Sequence, residues 1–405
     1  MKMHATCDVG FEEVLAQELM AIGAQGVTAG RRGVSFAGDT EMLWRANLQS
    51  RLANRVLAQV DRFTAPDRDA MYASVRSIPW ERWIDVDSTL AVDSRIQQSP
   101  APEQLVNQVV KDAVCDRFRT MTGRRPSVDR KRPDLPINVH LTGENCVLSV
   151  DSSGARLHHR GYRKSVGPAP LRETTAAGIL AKMEWDPDTP LVDPMCGSGT
   201  FLIEAALLAR NVPPGLLRLG RGGLGFAFQR WNTHEERDFE ALIKRLRSRI
   251  YHDATLHLYG SDHNPRALSM ARRNAAEAGV GEDCRWRRCG VEEARPPEET
   301  APGLLITNPP YGERLGAVED LEGTYRALGD ALKTHFPGYR AGVLAGERAL
   351  AGCIGLKVSR RMPVFNGPIE CRLLSFELYA GTRRHRPPST GEVPPAEADP
   401  PDAKD

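Results

Sequence analysis

The 405-residue sequence lacks the features that would assign it to a membrane, secreted or zinc-binding class. No apolar run reaches 18 residues, which predicts that no helix spans a bilayer. The amino terminus has no apolar signal-peptide core, so we expect a cytoplasmic protein. The eight cysteines include no Cys-x-x-Cys pair, which predicts reduced thiols and no metal site. The net charge of +2 is small, so the distribution of charge is more informative than its sum.

Hydrophobic periodicity divides the chain into an amino-terminal α+β part and a larger α/β part. Residues 1–65 alternate short helices and strands, which favours a ferredoxin-like fold. Residues 66–155 add more strands around a helix at 102–118, and residues 165–385 alternate strands and helices in the manner of a Rossmann-like sheet. Residues 386–405 have almost no apolar side chains, so we expect a disordered tail.

Two basic runs flank the second part. The first run contains Arg124, Arg125, Arg130, Lys131 and Arg132, and the second contains Arg160, Arg163 and Lys164. Clustered cations can neutralise phosphates and release counterions, so these are candidate RNA-binding residues, although a solvated charged loop would have the same composition. His158 and His159 lie in the second run. Neighbours on a strand point to opposite faces, so we do not expect them to bind a metal.

A glycine-rich turn joins a short strand, Leu191–Asp193, to a helix at 201–209. The candidate ligand-binding residues of this turn are Asp193, Pro194, Cys196, Gly197, Ser198, Gly199 and Thr200. Such a turn lets a ligand approach the backbone and meet the N–H groups of the helix. The third glycine of the dinucleotide fingerprint is missing, which argues against a dehydrogenase.

Asp262 stands at the end of the next strand, where a carboxylate can accept hydrogen bonds from both hydroxyls of a ribose. The alternative is that Asp262 caps the helix that begins near Pro265, and the two roles are compatible. Residues 210–252 separate the glycine turn from this strand, and we interpret them as an insertion over the active face.

The motif Asn308-Pro309-Pro310-Tyr311 follows the apolar run 303–307, which reads as a buried strand. The Asn308 side-chain oxygen and the Pro309 carbonyl are hydrogen-bond acceptors, and the proline rings fix the backbone that aims them. Tyr311 offers a ring on which a base can stack. The motif therefore suits a planar group that carries an amino function, although Asn-Pro-Pro is also an ordinary turn.

Taken in order, these three motifs resemble the class I S-adenosylmethionine-dependent methyltransferases of the amino-methylating type, over most of residues 165–380. Three further segments look like the THUMP-containing RNA guanine-N2 methyltransferases: Gly161-Tyr162-Arg163, residues 169–174 and Pro213-Pro214-Gly215. Residues 5–12 are similar to the ferredoxin-like part of the same group. The likeness is strongest to the bacterial members that act on 23S ribosomal RNA, which often carry a second methyltransferase domain that these 405 residues do not include.

The resemblance implies S-adenosylmethionine as cofactor, a THUMP RNA-binding domain at about 66–155 and methyl transfer to the N2 amino group of a guanine, most closely in 23S rRNA. It implies further cofactor-binding residues, namely Glu173, Thr174, His263, Asn264, Glu292 and Asn308. The family has an acidic residue just after the third strand, where this chain reads Cys289-Gly290-Val291-Glu292, so the adenine contact stays open.

The alternatives that stay open are a tRNA substrate, adenine or glutamine as the methyl acceptor, and an RNA-binding protein with a non-catalytic pocket. In the favoured interpretation, Asn308 and the Pro309 carbonyl hold the guanine amino group, and Tyr311 receives the base after it leaves its stack. The sequence does not identify the nucleotide or the oligomeric state.

Overall fold

The computed structural model describes residues 1–163, 171–220, 222–297, 301–311, 318–367 and 369–380, with the side chains of 318–320 left aside. Within these ranges the chain forms two sheets with helices packed against them. Lys164 and the predicted tail at 386–405 lie outside the described residues. No helix in the described ranges has the length and apolarity needed to cross a bilayer.

The first sheet has eight strands and runs through the whole amino-terminal part. Its strands are β1 (Lys2–Thr6), β2 (Gln25–Gly30), β3 (Gly33–Ala37), β4 (Arg55–Thr64), β5 (Thr89–Gln97), β6 (Ser127–Val128), β7 (Leu135–Thr142) and β8 (Asn145–Asp151). The helices are α1 (Glu12–Ala21), α2 (Thr40–Gln49), α3 (Arg68–Ser77) and α4 (Glu103–Thr122). The strand order is β2-β3-β1-β4-β8-β7-β5-β6. Strand β4 pairs with both β1 and β8, so this sheet continues across the domain boundary that we predict at residue 65.

The second sheet has seven strands and follows the Rossmann-like pattern that the sequence predicts. Its strands are β9 (Leu191–Asp193), β10 (Leu258–Asp262), β11 (Cys284–Arg288), β12 (Leu304–Thr307), β13 (Arg340–Ala345), β14 (Arg360–Asn366) and β15 (Ile369–Glu377). The helices are α5 (Glu173–Lys182), α6 (Thr200–Ala209), α7 (Glu236–Arg247), α8 (Pro265–Glu277), α9 (Val318–His335) and α10 (Arg348–Cys353). The order is β11-β10-β9-β12-β13-β15-β14, with an antiparallel hairpin at the β14 edge.

The strand order reverses between β9 and β12, and this point defines the site. The chain moves outward from β9 to β10 and β11, and then returns to place β12 on the other side of β9. All four residues of β12 are buried, which explains its continuous apolar sequence. In open α/β sheets a crevice forms at such a reversal, beyond the carboxyl ends of the strands.

Buried polar side chains join the two sheets, and we call this region the junction. Arg51, which precedes β4, donates from Nη2 to the carbonyls of Leu207 at 3.1 Å and Val212 at 2.9 Å. Arg160 is 1% exposed, its guanidinium lies 3.5 Å from the Glu204 carboxylate, and it donates to the carbonyl of Arg51. Buried charges must be paired to be tolerated, so these contacts fix how the two halves meet.

The segment 210–252 packs on the amino-terminal part rather than over the active face, which makes our prediction for it wrong. Its Phe239 ring meets Trp44 of α2 edge-on, with ring centroids 5.5 Å apart. Trp231 donates from Nε1 to the Asp134 carbonyl at 3.2 Å, and Arg245 pairs with Glu41 at 2.8 Å. The physical reason is the apolar stripe Phe239, Leu242 and Leu246 on α7, which is buried against that face of the molecule.

Candidate active site

A cavity of about 700 Å³ lies beyond the carboxyl ends of β9, β10 and β12. Sequence-predicted residues form much of its wall: Asp193, Pro194, Cys196, Gly197, Ser198, Thr200, Asp262, His263, Asn264, Glu292, Asn308, Pro309, Pro310 and Tyr311. The three motifs therefore converge on one crevice, although more than 100 residues separate the first motif from the last.

The glycine turn between β9 and α6 is held against the neighbouring strand. The Cys196 N–H donates to the Ser261 carbonyl at 2.9 Å, and the Gly197 N–H donates to Asp262 Oδ2 at 3.0 Å. Gly199 has a φ of +81°, and a Cβ there would lie 2.7 Å from the Trp286 ring. Gly199 therefore stands behind the cavity wall and lets the turn approach Trp286, instead of lining the cavity itself.

Asp262 joins the glycine turn to the start of α8. Its Oδ1 accepts from the Asn264 N–H at 2.8 Å, while its Oδ2 accepts from Gly197. The helix cap is Asn264, whose Oδ1 accepts from the Arg266 N–H at 2.9 Å. Asp262 is therefore not the cap, and each of its oxygens keeps acceptor capacity that faces the cavity. The neighbouring His263 side chain is exposed.

Asp193 is a buried carboxyl at the base of the crevice. Its pKa is raised to about 7, chiefly by burial and to a smaller extent by the nearby Asp262 charge. Hydrogen bonds from the Thr307 hydroxyl, at 2.9 Å, and from the Met195 N–H, at 3.2 Å, act in the opposite direction. Because Thr307 is the last residue of β12, this contact ties the glycine turn to the strand that carries Asn308.

Asn308 follows β12 directly, and its Oδ1 is buried with no hydrogen-bond partner among the described residues. A buried acceptor without a partner is costly, so native proteins seldom keep one without a reason. Pro309 is buried beside it. Asn308 is also a lining residue of the cavity, so the unsatisfied amide oxygen belongs to a cavity residue at the position that the sequence singles out.

Tyr311 is 7% exposed and is fixed at both ends. Its hydroxyl accepts a hydrogen bond from Asn366 Nδ2 at 3.1 Å. Its ring packs directly against Gly346, where an added Cβ would lie only 2.5 Å from the ring. Burial raises the pKa of the Tyr311 hydroxyl. The ring contributes to the cavity wall, and the stacking of a base on it stays a prediction.

The region after β11 supplies Gly290, Val291 and Glu292 to the cavity. The Glu292 carboxylate folds back so closely that a Cβ on Gly290 would collide with its Oε1. A larger residue at 290 would therefore displace the exposed end of the Glu292 side chain. Glu292 is exposed and stays the candidate for the adenine contact.

Glu173 and Thr174 do not line the cavity, and their assignment as cofactor-binding residues stays a prediction. Glu173 is 4% exposed and pairs with Arg163 at 3.1 Å, while the Thr174 hydroxyl donates to Asn54 of the amino-terminal part at 3.3 Å. Arg163 also donates to the Thr200 hydroxyl at 2.9 Å. These residues thus support the cavity wall from behind.

The second basic run is also corrected, because it is mostly structural. Arg160 is buried in the junction and Arg163 is committed to Glu173, so neither presents a free charge to a phosphate. His158 and His159 lie in a turn rather than on a strand, with ring centroids 4.1 Å apart. Burial lowers the pKa of His158 to about 2, so its ring is neutral at physiological pH.

The first basic run is exposed, and part of it borders a second cavity of about 990 Å³. Arg130, Lys131 and Arg132 line this cavity, together with polar residues of α4 and Arg230 of the insertion. Arg124 instead pairs with Asp87, and both side chains are exposed. In the described part of the chain, Arg130, Lys131 and Arg132 form no ion pair.

Some residues of the active-site cavity carry no signal in the sequence. The additional lining residues are mainly apolar, namely Leu171, Met195, Phe201, Ala267, Met270, Val291 and Ala327. Their types are those of any core, so only the tertiary structure identifies them. Asn366 is also unexpected, because it reaches Tyr311 from a hairpin 55 residues away.

Family models match the chain in three consecutive segments. An RMKL-like methyltransferase domain matches residues 160–375, a THUMP domain matches 65–151 and an RlmL ferredoxin-like domain matches 2–57. The ferredoxin-like, THUMP and class I methyltransferase parts that the sequence predicts are thereby confirmed.

Individual proteins agree with the family models. The chain is 42% identical over 390 residues to the ribosomal RNA large subunit methyltransferase K/L of Syntrophotalea carbinolica. This alignment covers 93% of this chain and 54% of that protein. It is 39% identical over 379 residues to the putative RNA methyltransferase slr0064 of Synechocystis. This alignment covers 93% of this chain and 96% of that protein. The chain spans about half the length of the K/L relatives that it matches.

Solved structures share the whole architecture. SMU.472, a putative methyltransferase crystallised with SAH, superposes with a TM-score of 0.82 at 26% identity, covering 94% of this chain and 98% of that chain. A predicted N6-adenine-specific DNA methylase from Listeria monocytogenes gives a TM-score of 0.83 at 29% identity, covering 93% and 96%. The name of the Listeria protein gives adenine in DNA as the methyl acceptor, whereas the K/L relatives are named for ribosomal RNA, so the shared fold does not by itself identify the acceptor.

Proposed function

This chain belongs to the RMKL-like methyltransferase family, and we propose that it transfers the methyl group of S-adenosylmethionine to the N2 amino group of a guanine in 23S ribosomal RNA. The substrate follows the K/L relatives, whose name specifies the large-subunit ribosomal RNA. Such a substrate would put the protein in the cytoplasm. The observation that carries the proposal is the buried Oδ1 of Asn308 in the cavity wall, which has no partner among the described residues.

The cavity residues fit S-adenosylmethionine. Asp262 retains acceptor capacity for the two ribose hydroxyls, and the glycine turn brings backbone groups and the start of α6 to the same space. Val291 and the other apolar wall residues suit a flat adenine, with Glu292 at its edge. When bound, the cofactor supplies an electrophilic methyl group, so the protein's task is to position the acceptor.

Asn308 is suited to hold that acceptor. Its Oδ1 would accept a hydrogen bond from one N–H of the guanine amino group, and the Pro309 carbonyl would accept from the other. Both contacts aim the nitrogen lone pair and stabilise the positive charge that develops on nitrogen. No strong base is required before attack, because the amino proton becomes acidic only as the new bond forms.

The amino-terminal part is suited to hold the RNA. Arg130, Lys131 and Arg132, which have no ion-pair partner among the described residues, surround the cavity of about 990 Å³, and Arg230 reaches its rim from the insertion. Phosphate contacts of this kind provide affinity that does not depend on sequence. Exposed Val128 and Leu224 in the same cavity offer apolar surface to unpaired bases.

The test is methyl transfer in vitro from labelled S-adenosylmethionine to ribosomal RNA and tRNA from a strain that lacks the gene. We expect label in 23S rRNA, recovered as N2-methylguanosine after digestion and mass spectrometry. Label in tRNA would favour the tRNA alternative. Label on adenine, or on protein alone, would overturn the proposed acceptor.

A further inference from the structure

We infer that Asn366 is a positioning residue for methyl transfer: it anchors Tyr311 and thereby sets the position of Asn308. The inference deepens the proposed function, because it concerns the same amino-group site. Asn366 is the last residue of β14, at the edge of the sheet opposite β11, and it is 7% exposed.

The Asn366 side chain bridges two elements that flank the cavity. Its Nδ2 donates to the Tyr311 hydroxyl at 3.1 Å, and its Oδ1 accepts from the Arg172 N–H at 3.3 Å. Arg172 immediately precedes α5, while Tyr311 ends the motif after β12. One buried amide therefore uses both its donor and its acceptor to hold the motif against α5.

The anchoring point is itself fixed by its surroundings. Gly367, the next residue, has a φ of +69°, and a Cβ there would lie 3.0 Å from the Arg172 guanidinium. That guanidinium reaches Asp8 of the first sheet at 3.8 Å. Position 366 is thus held by backbone geometry and by neighbours in both halves of the molecule, so it is a firm support for Tyr311.

The connection from Tyr311 back to Asn308 is short and stiff. Only Pro309 and Pro310 lie between them, and each proline ring fixes its own φ. With two φ angles fixed, fewer backbone rotations between Tyr311 and Asn308 can absorb a shift of the Tyr311 backbone before it reaches Asn308. Asn308 Oδ1 has no partner of its own among the described residues, so its place depends on this backbone.

The predicted consequence is a defect in the rate of transfer and not in cofactor binding. Asn366 does not line the cavity, whereas Asp262 and the glycine turn, which would hold the cofactor, lie on the far side of β12. Misplacement of a reacting group by about 1 Å costs on the order of 10²-fold in rate. We expect Asn366→Ala to lower the single-turnover rate at saturating RNA by roughly 10- to 100-fold.

The experiment combines the single-turnover rate with two further measurements, cofactor affinity and folding. Both would change if Asn366 only stabilised the structure. Affinity for S-adenosylhomocysteine, measured by calorimetry, should stay within about twofold of wild type, and the protein should remain folded at the assay temperature. The matched control is Arg361→Ala, an exposed side chain on the same strand, which should transfer at the wild-type rate. A loss of cofactor affinity that parallels the rate would overturn the inference.

Two double variants test whether Asn366 acts through the motif. Tyr311→Phe removes the same hydrogen bond from the other side, together with the contact of the hydroxyl with Cys371, and it replaces Asn366→Ala if that variant does not fold. The pair Asn366→Ala with Tyr311→Phe should be no slower than the slower single variant, and Asn366→Ala should add little to Asn308→Ala. Multiplicative losses in both pairs would overturn the inference.

The failure of this inference and that of the proposed substrate give different results. The rate ratios between variants are read from total label incorporated into RNA, whichever nucleoside carries it. The proposed substrate is judged from the identity of the labelled nucleoside made by the wild-type protein. A methylated adenosine with the expected ratios would therefore reject the guanine acceptor and keep the role of Asn366.

Discussion

Buried polar side chains gather in two regions of the molecule, the junction between the sheets and the carboxyl edge of the second sheet. At the junction the arginines meet a carboxylate or carbonyl, as Arg160 does with Glu204 and Arg51 with the Leu207 carbonyl. At the edge, Asn308 Oδ1 has no described partner, and burial holds the pKa of Asp193 near 7. The buried Arg160 has carboxylate and carbonyl partners in the free protein, whereas in the proposed function a ligand would supply the partner that Asn308 Oδ1 lacks. Substitutions should therefore affect stability in one region and activity in the other.

The largest expected effect belongs to the junction. Arg160→Met would remove one partner of the buried Arg160–Glu204 pair, and the loss of one partner of a buried pair costs about 3–5 kcal/mol of unfolding free energy. The measurement is urea unfolding, with Arg124→Met as control, since the exposed Arg124–Asp87 pair should contribute at most about 1 kcal/mol. Equal losses in the two variants would remove the distinction between the regions.

Asn308→Ala should lower the rate of methyl transfer and leave the free energy of unfolding almost unchanged. A contact that positions the reacting group is typically worth about 10²–10³ in rate, while an amide oxygen without a described partner gives little to stability. Single-turnover transfer should fall by that factor, with unfolding free energy within about 1 kcal/mol of wild type. Asn308→Asp keeps the shape and an acceptor, and we expect it to be faster than Asn308→Ala and slower than wild type. Wild-type turnover by Asn308→Ala would make the motif an ordinary turn.

Asp262→Ala should weaken the cofactor rather than the chemistry. The substitution removes the carboxylate aimed at the predicted ribose position, and a hydrogen bond to a charged group is worth about 1.5–3 kcal/mol, so affinity should fall at least about tenfold. Calorimetry with S-adenosylhomocysteine measures this, with exposed Arg266→Ala as control. An unchanged cofactor affinity would show that Asp262 only holds the glycine turn and does not bind the ribose.

The smallest expected effect concerns the exposed basic run. Replacing Arg130, Lys131 and Arg132 by glutamine should weaken RNA binding and flatten its salt dependence, by about 0.7–0.9 in log–log slope for each phosphate that the variant no longer neutralises. The control replaces Arg124 and Arg125, which lie outside the cavity. If the slope is unchanged in the triple variant, those cations are only a solvated surface.

The edge of the second sheet could be predicted because its signals are local. Strand β12 is a continuous apolar run, and the Asn308–Tyr311 motif follows it directly, so strand ends and motifs can be located without knowing the fold. The same holds for Asp262 after β10. Parallel strands then bring their carboxyl ends together, which is sufficient to assemble most of the cavity.

The junction could not be predicted, because its pairs are distant in the sequence. Arg51 meets the Leu207 and Val212 carbonyls across more than 150 residues, and Glu204 meets Arg160 from another element. An arginine in a basic run has the same sequence signature whether it is exposed, as Arg130 is, or buried, as Arg160 is. The sequence misplaces the segment 210–252 for a related reason, since nothing local indicates that its apolar stripe meets Trp44.

The most direct test of the account asks which atom accepts the methyl group. Once the methylated guanosine is mapped, the RNA is prepared with inosine at that single position, which removes the N2 amino group and keeps the rest of the base. We predict that the wild-type protein binds this RNA with nearly unchanged affinity and transfers no methyl group to it, while the guanosine RNA is methylated. Transfer to the inosine RNA at the guanosine rate would contradict the role assigned to Asn308.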